Sequence, residues 1–253
     1  MTRHSMQPFY AKLTSWLILS YFLALIAGFY LIQWQQFSAL SFLAVLYVSL
    51  FIADFIGGLA HLFIDYQPLN YAKHYDELYF YPGDRNTPDF ADKKRQIVEN
   101  SSRLDMSVYH FKVHHRNVSP YLNRRYASFF YETVVPSAML LITALVLATR
   151  SEQNALSVYL AFALLIISVG VLHTNHVHSW VHGSKTMPWG VAAIKVLQKM
   201  RLMYSMETHA RHHSQGESGF CFLIGHANFI VDPLCRLLLQ WHIIHKRHWH
   251  GQP

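Results

Sequence analysis

The chain has 253 residues and a formal net charge of +7, with 52% hydrophobic and only 14% charged residues. A soluble domain typically carries roughly 25% charged residues, so an ordinary soluble globular protein is a poor fit. The basic residues are dispersed and form no recognition motif, which argues against a nucleic-acid partner and for contact with anionic lipid headgroups.

Four apolar runs follow in chain order, over 14–32, 39–55, 134–148 and 155–172. Each reaches or approaches the ~20 residues that a helix needs to cross a bilayer. With their flanks they predict spans over about 13–32, 38–62, 128–148 and 155–180. The first run is longer than a secretory h-region, lacks a clear small-residue cleavage site, and is soon followed by a second run. It is therefore read as a retained span. The expected fold is all-α: one domain over 1–253, an integral membrane four-helix transmembrane bundle with a cytoplasmic histidine-rich cap.

Charge sets the expected orientation. The connection 33–38 carries no Lys or Arg, and the one near 149–154 carries only Arg150. Arg3 and Lys12 precede the first span. Ten basic residues, Lys93, Lys94, Arg95, Arg124 and Arg125 among them, lie between spans two and three, and eight follow span four. The positive-inside rule places both termini and the segments 66–125 and 183–253 in the cytoplasm.

The histidines fall at the ends of these runs. His61 is followed four residues on by Asp65, and Asp54, Gly58, His61 and Asp65 share one face of a helix. Carboxylates on a membrane helix are expensive to bury and are usually retained for a purpose. An interfacial residue facing water is a fair alternative for Asp65 and a poor one for Asp54. Gly57 and Gly58 would let another element or a substrate chain approach closely.

His114 and His115 are adjacent, so on a helix they point about 100° apart and cannot easily hold one ion together. They could contact two metals, or one could support a ligand, or both could be surface residues. His178 and His182 have the i, i+4 ligand spacing, and no Glu follows the first His as in an H-E-x-x-H zinc protease. His209, His212 and His213 form H-x-x-H-H, in which His209 can share a face with His213 or His212. Asn175 and His176 lie one turn before His178, and His226, Asn228 and Asp232 follow an apolar stretch. These could add ligands or support them. Imidazole is the commonest biological metal ligand and suits iron. The charge count never used the histidines, yet it places all four groups on one side. His242, His245, His248 and His250 read as a solvated or headgroup-contacting tail. Cys221 and Cys235 form neither a disulfide framework nor a Cys-x-x-Cys pair and read as reduced core residues.

These motifs resemble, in order and spacing, those of the Kua/CarF lipid desaturases. That family includes animal plasmanylethanolamine desaturase and a plant plastid desaturase acting on phosphatidylglycerol palmitate. Ala53-Asp54-Phe55 with Gly58, His61 and Asp65 resembles its first motif, and Phe111-Lys-Val-His114-His115 its F-R-x-H-H. Asn175 to His178 with Trp180 and His182 resembles N-Q-x-H-K-W-x-H. His209 to His213 matches H-x-x-H-H, and Gly225-His-Ala-Asn228 with Asp232 resembles the closing motif. The resemblance covers roughly residues 40 to 240. Departures are Leu62 in place of a Trp, His176 in place of a Gln, His226 in place of an aromatic, and a long stretch over 67–108.

The resemblance implies a centre of two iron ions held by His61, His114, His115, His178, His182, His209, His212 and His213. It implies O2 as co-substrate, a phospholipid substrate desaturated near the glycerol end of a chain, and an external electron donor, cytochrome b5-like or ferredoxin. A hydroxylase with the same ligands is the close alternative. A non-catalytic metal- or haem-binding membrane protein is the alternative of another class.

Overall fold

The computed structural model describes residues 3–99, 101–118, 126–150, 154–183 and 191–253. Arg124 and Arg125 lie outside the described residues, as do the side chains of Arg3 and Lys12. Among the described residues the protein is all-α. In chain order the helices are α1 (Arg3–Leu31), α2 (Ala39–Tyr66), α3 (Tyr75–Tyr79), α4 (Pro88–Glu99), α5 (Arg103–Arg116), α6 (Val134–Ala148), α7 (Ala155–Val181), α8 (Val191–Lys199), α9 (Met206–Gln215), α10 (Asn228–Gln240) and α11 (Lys246–Trp249).

Four spans were expected, and the helices bear this out only in part. Two of them, α2 and α7, are long and apolar enough to cross a bilayer. The apolar part of α1 is Ser15–Leu31, and α6 has 15 residues. At 1.5 Å per residue α6 covers about 22 Å, short of a hydrocarbon core of about 30 Å. The expected third span began near 128, but Tyr126–Tyr131 is a 3-10 turn and the regular helix starts at Val134. The N-termini of α2 and α7 are closed by reciprocal capping boxes, Ser38 with Ser41 and Asn154 with Ser157. Such caps satisfy backbone donors that have no partner inside the helix.

Helices α2 and α7 run in parallel. Gly170 of α7 lies against the Ala53 methyl and Gly57 of α2 against Thr174, so the two backbones approach closely. This register carries His61 and His178 to the same level, with ring centroids 5.4 Å apart. The α1–α6–α7 side is an apolar core that includes Leu141, Ala144, Phe162 and Leu165. One polar relay crosses it: Tyr21 donates to Ser168 Oγ at 2.7 Å, and Ser168 donates to the Ser137 carbonyl at 2.7 Å.

The stretch 67–108 is not a bare loop. It folds α3 and α4 onto the outer face of α5 around Tyr75, Leu78, Tyr79, Phe90, Val108 and Tyr109. The segment from Gly216 to Gly225 runs back along α2. Tyr66 donates to the Gly216 carbonyl, Cys221 seats on Gly58, and Leu223 reaches Asp54. The chain then returns as α10, whose Phe229 packs on Phe51 of α2.

Candidate metal centre

The C-terminal ends of α2, α5 and α7 meet at one place, and α9 closes it. The C-terminal end of a helix carries partial negative charge from its unpaired carbonyls, which favours a cation there. Each end brings histidines: His61 with Asp65 from α2, His114 and His115 from α5, and His178 with the capping residue His182 from α7. Helix α9 adds His209, His212 and His213.

These side chains form two sets, each with ligand atoms within 4.8 Å of one another: His114, His178, His182, His209 and His213, and then His61, Asp65, His115 and His212. The sets touch. The rings of His115 and His213 are 4.8 Å apart, and those of His114 and His115 are 4.3 Å apart. The adjacent pair on α5 splits between the sets because successive side chains on a helix diverge by about 100°. The H-x-x-H-H motif splits likewise, with His209 and His213 in the first set and His212 in the second.

The donor atoms fit a metal in three respects. First, Nε2 atoms crowd together: His178 to His209 2.9 Å, His209 to His182 2.9 Å, His182 to His178 3.2 Å and His213 to His209 3.1 Å. A ring nitrogen either carries a proton or accepts one, so three mutual contacts cannot all be hydrogen bonds. Metal–nitrogen bonds of about 2.1 Å put neighbouring ligand atoms about 3.0 Å apart in octahedral and about 3.4 Å apart in tetrahedral geometry. The observed spacings lie nearer the first.

Second, backbone carbonyls fix the tautomer of three rings. His61 Nδ1 donates to the Phe220 carbonyl at 3.0 Å, His212 Nδ1 to that of Ser218 at 2.9 Å, and His114 Nδ1 to that of Phe111. The proton on Nδ1 leaves the Nε2 lone pair facing inward, the usual arrangement of a metal-ligating imidazole. Third, Asp65 is fully buried. Its Oδ2 lies 3.1 Å from both His61 Nε2 and His212 Nε2, and Oδ1 lies 3.5 Å from His115 Nε2. None of these contacts has hydrogen-bond geometry. A buried carboxylate among inward-facing lone pairs lacks a partner that a cation would supply.

Burial disfavours the charged form at several of these imidazoles, and ligation requires the neutral ring. His114, His115 and His209 are held well below the ordinary range by burial, with neighbouring imidazoles adding to the effect. For His115 the Asp65 carboxylate opposes the shift. The same causes bring His182 down to about 3 and His213 down to about 4. Apolar rings wall the centre: Phe222 stacks on His178 at 4.4 Å, and Phe111 meets His61 edge-on at 5.5 Å.

Five other sequence candidates stand outside both sets. Asp54 Oδ1 accepts from the Leu223 and Ile224 amides, and Oδ2 from Ala227. Asn228 brackets Cys221, accepting from its amide and donating to its carbonyl. Asp232 accepts from the Gly219 amide at 2.8 Å. Together they pin the segment whose Ser218 and Phe220 carbonyls orient His212 and His61. His176 packs among Phe129, Phe130 and His173, two residues before His178 and so about 160° around the helix from it. His226 is exposed, with Nδ1 3.2 Å from the Tyr47 hydroxyl and Nε2 near the Arg201 carbonyl. Both carboxylates on α2 are buried: Asp65 sits among the histidines, and Asp54 serves backbone amides.

Two residues escaped the sequence reading. Lys112 is buried and donates to the carbonyls of Asp65 and His248, joining α2 to the C-terminal tail. Burial lowers its ammonium to about 8, against the pull of Asp65. Its one signal was its place in Phe111-Lys-Val-His-His. Trp249 is buried against His115, with ring centroids 5.3 Å apart, and covers Gly216. The tail is therefore docked at Trp249 and not solvated throughout. His242 and His250 remain exposed.

Residues 104–246, more than half of the chain, match the lipid desaturase domain. The chain belongs to this lipid desaturase family. It is the Kua/CarF-type family that the motifs resemble, and membership makes the chain a desaturase, an oxidoreductase acting on lipid. No curated protein and no solved structure matches it. His61 and Asp65 lie before the matched residues and join the other histidines through the fold. Cys221 and Cys235 are free and buried.

Proposed function

We propose that this desaturase is a membrane-bound, O2-dependent enzyme with two iron ions. It introduces a double bond near the glycerol-proximal end of a phospholipid alkyl or acyl chain, as plasmanylethanolamine desaturase does. The observation that supports this reading is the pair of touching ligand sets, one per ion, built from eight imidazoles and one carboxylate. Iron bound there supplies O2 activation and the removal of two hydrogens from an unactivated chain.

The residues themselves do the rest. His61, His114 and His212 keep their protons on Nδ1, against backbone carbonyls, and offer Nε2 inward. Phe111 and Phe222 line the centre with apolar surface that keeps out water and accepts a hydrocarbon chain. Lys112 and Trp249 close the side facing the tail. Positioning of the reacting carbon is a large part of such catalysis. The charge count supports four membrane-embedded helices with both termini and the centre on the cytoplasmic side, within reach of chain carbons near the glycerol. Electrons come from an external donor, cytochrome b5-like or ferredoxin.

Elemental analysis of the detergent-purified protein is the first test, and about two irons per chain are expected. Lipid profiling of cells expressing the protein should then show a chain lighter by two hydrogens. Zinc alone after iron-supplemented expression would overturn the reading. An added oxygen in the product would make the enzyme a hydroxylase.

A further inference from the structure

On the side of α9 away from the histidines lies an open cleft of about 910 Å³. Three cations line it, Lys199, Arg201 and Arg211, and none has a carboxylate within salt-bridge distance among the described residues. Two carboxylates also line it. Asp232 is engaged by the Gly219 amide, and Glu207 is exposed. Arg201 has φ of 59°, a backbone conformation that residues with a side chain seldom adopt. Its carbonyl is met by His226, which also lines the cleft.

The surroundings of the cleft are apolar. Met200, Leu202 and Met206 beside it are 61%, 51% and 59% exposed. His226 also reaches Tyr47, which stands on the outward face of α2 with the exposed Leu43 and Val48. The cleft therefore borders the surface that α2 presents to lipid. Its inner wall is Tyr204, whose ring lies 6.1 Å from that of His209. One helix, about 10 Å across, separates the cations from the ligand sets.

We propose that this cleft binds the phosphate of a membrane phospholipid. Arginine pairs with phosphate through two parallel N–H bonds, and lysine adds a point charge. The apolar border selects a lipid phosphate over a free anion. The proposal rests on the lipid-desaturase reading, and its test reads binding, not turnover or iron.

The full-length protein in detergent is titrated with dihexanoyl phosphatidic acid, dihexanoylglycerol and inorganic phosphate by thermophoresis. The phosphatidic acid should bind about ten-fold more tightly than either of the others. Lys199→Gln with Arg211→Gln should cost about ten-fold in its affinity. Arg201→Gly, which removes the guanidinium and suits the left-handed backbone, should weaken binding in the same direction. Inorganic phosphate binding as tightly as the lipid would overturn the lipid assignment. Unchanged affinity in both variants would overturn the site.

Discussion

His114 and His115 are neighbours in the chain and belong to different ligand sets. Their substitutions should therefore act on different ions. His114→Ala and His115→Ala are each expected to lower iron from about two to about one per chain, and the double variant to remove nearly all of it. Elemental analysis of the three variants decides this, and equal, complete loss in both single variants would show one indivisible site. The sequence left this open: adjacent helical residues diverge by about 100°, which allowed two metals, a ligand with its support, or surface residues. It did not reveal the part played by Asp54. A carboxylate on the same stripe as His61 is indistinguishable by spacing from a ligand. Only the return of the chain along α2, which brings the Leu223, Ile224 and Ala227 amides to it, assigns it to backbone donors.

At the scale of elements, the centre depends on how closely that returning segment lies against α2. An added Cβ at Gly58 would overlap Cys221 Sγ. Gly58→Ala should therefore destabilise by about 1–3 kcal/mol, the usual cost of overpacking. Cys221→Ala in the same chain should recover part of the loss, because it removes the atom in conflict. Melting midpoints of the two single variants and the double variant measure the coupling. Strict additivity would mean that the segment does not pack on α2 in this way. The glycine was visible in the sequence as a site of close approach, but its partner was not. Helix boundaries were less legible. The apolar run 134–148 coincides with α6, yet the expected extension to 128 fails where the chain makes a 3-10 turn. Hydropathy reports burial in an apolar medium and not the hydrogen-bond pattern that ends a helix.

For the whole molecule, the C-terminal tail is part of the centre. Trp249 covers His115, Lys112 holds the His248 carbonyl, and Tyr71 donates to that of Gly251. Trp249→Ala should lower the melting midpoint and speed the release of iron to a chelator, because it opens the side of the centre that the ring closes. Trp249→Phe should keep most of the protection. Release rates equal to wild type in Trp249→Ala would show that the tail does not guard the metal. Composition could not foresee this. A stretch with four histidines, Lys246 and Arg247 reads as a polar end, and one tryptophan gives no sign of the surface that receives it.

Local properties are legible along a chain: apolar runs long enough to leave water, imidazoles at one-turn spacing, and charge gathered in particular connections. These point to the all-α class and to the eight histidines as candidates, and the ordered motifs resemble the family. Partition is a property of the assembled molecule. Which imidazole joins which set, which carboxylate meets a metal and which meets backbone amides, and what covers the centre all depend on segments distant in sequence. Those contacts form only when α2, α5, α7 and α9 are brought end to end, because a buried polar group takes whatever partner the packed chain places within about 3 Å.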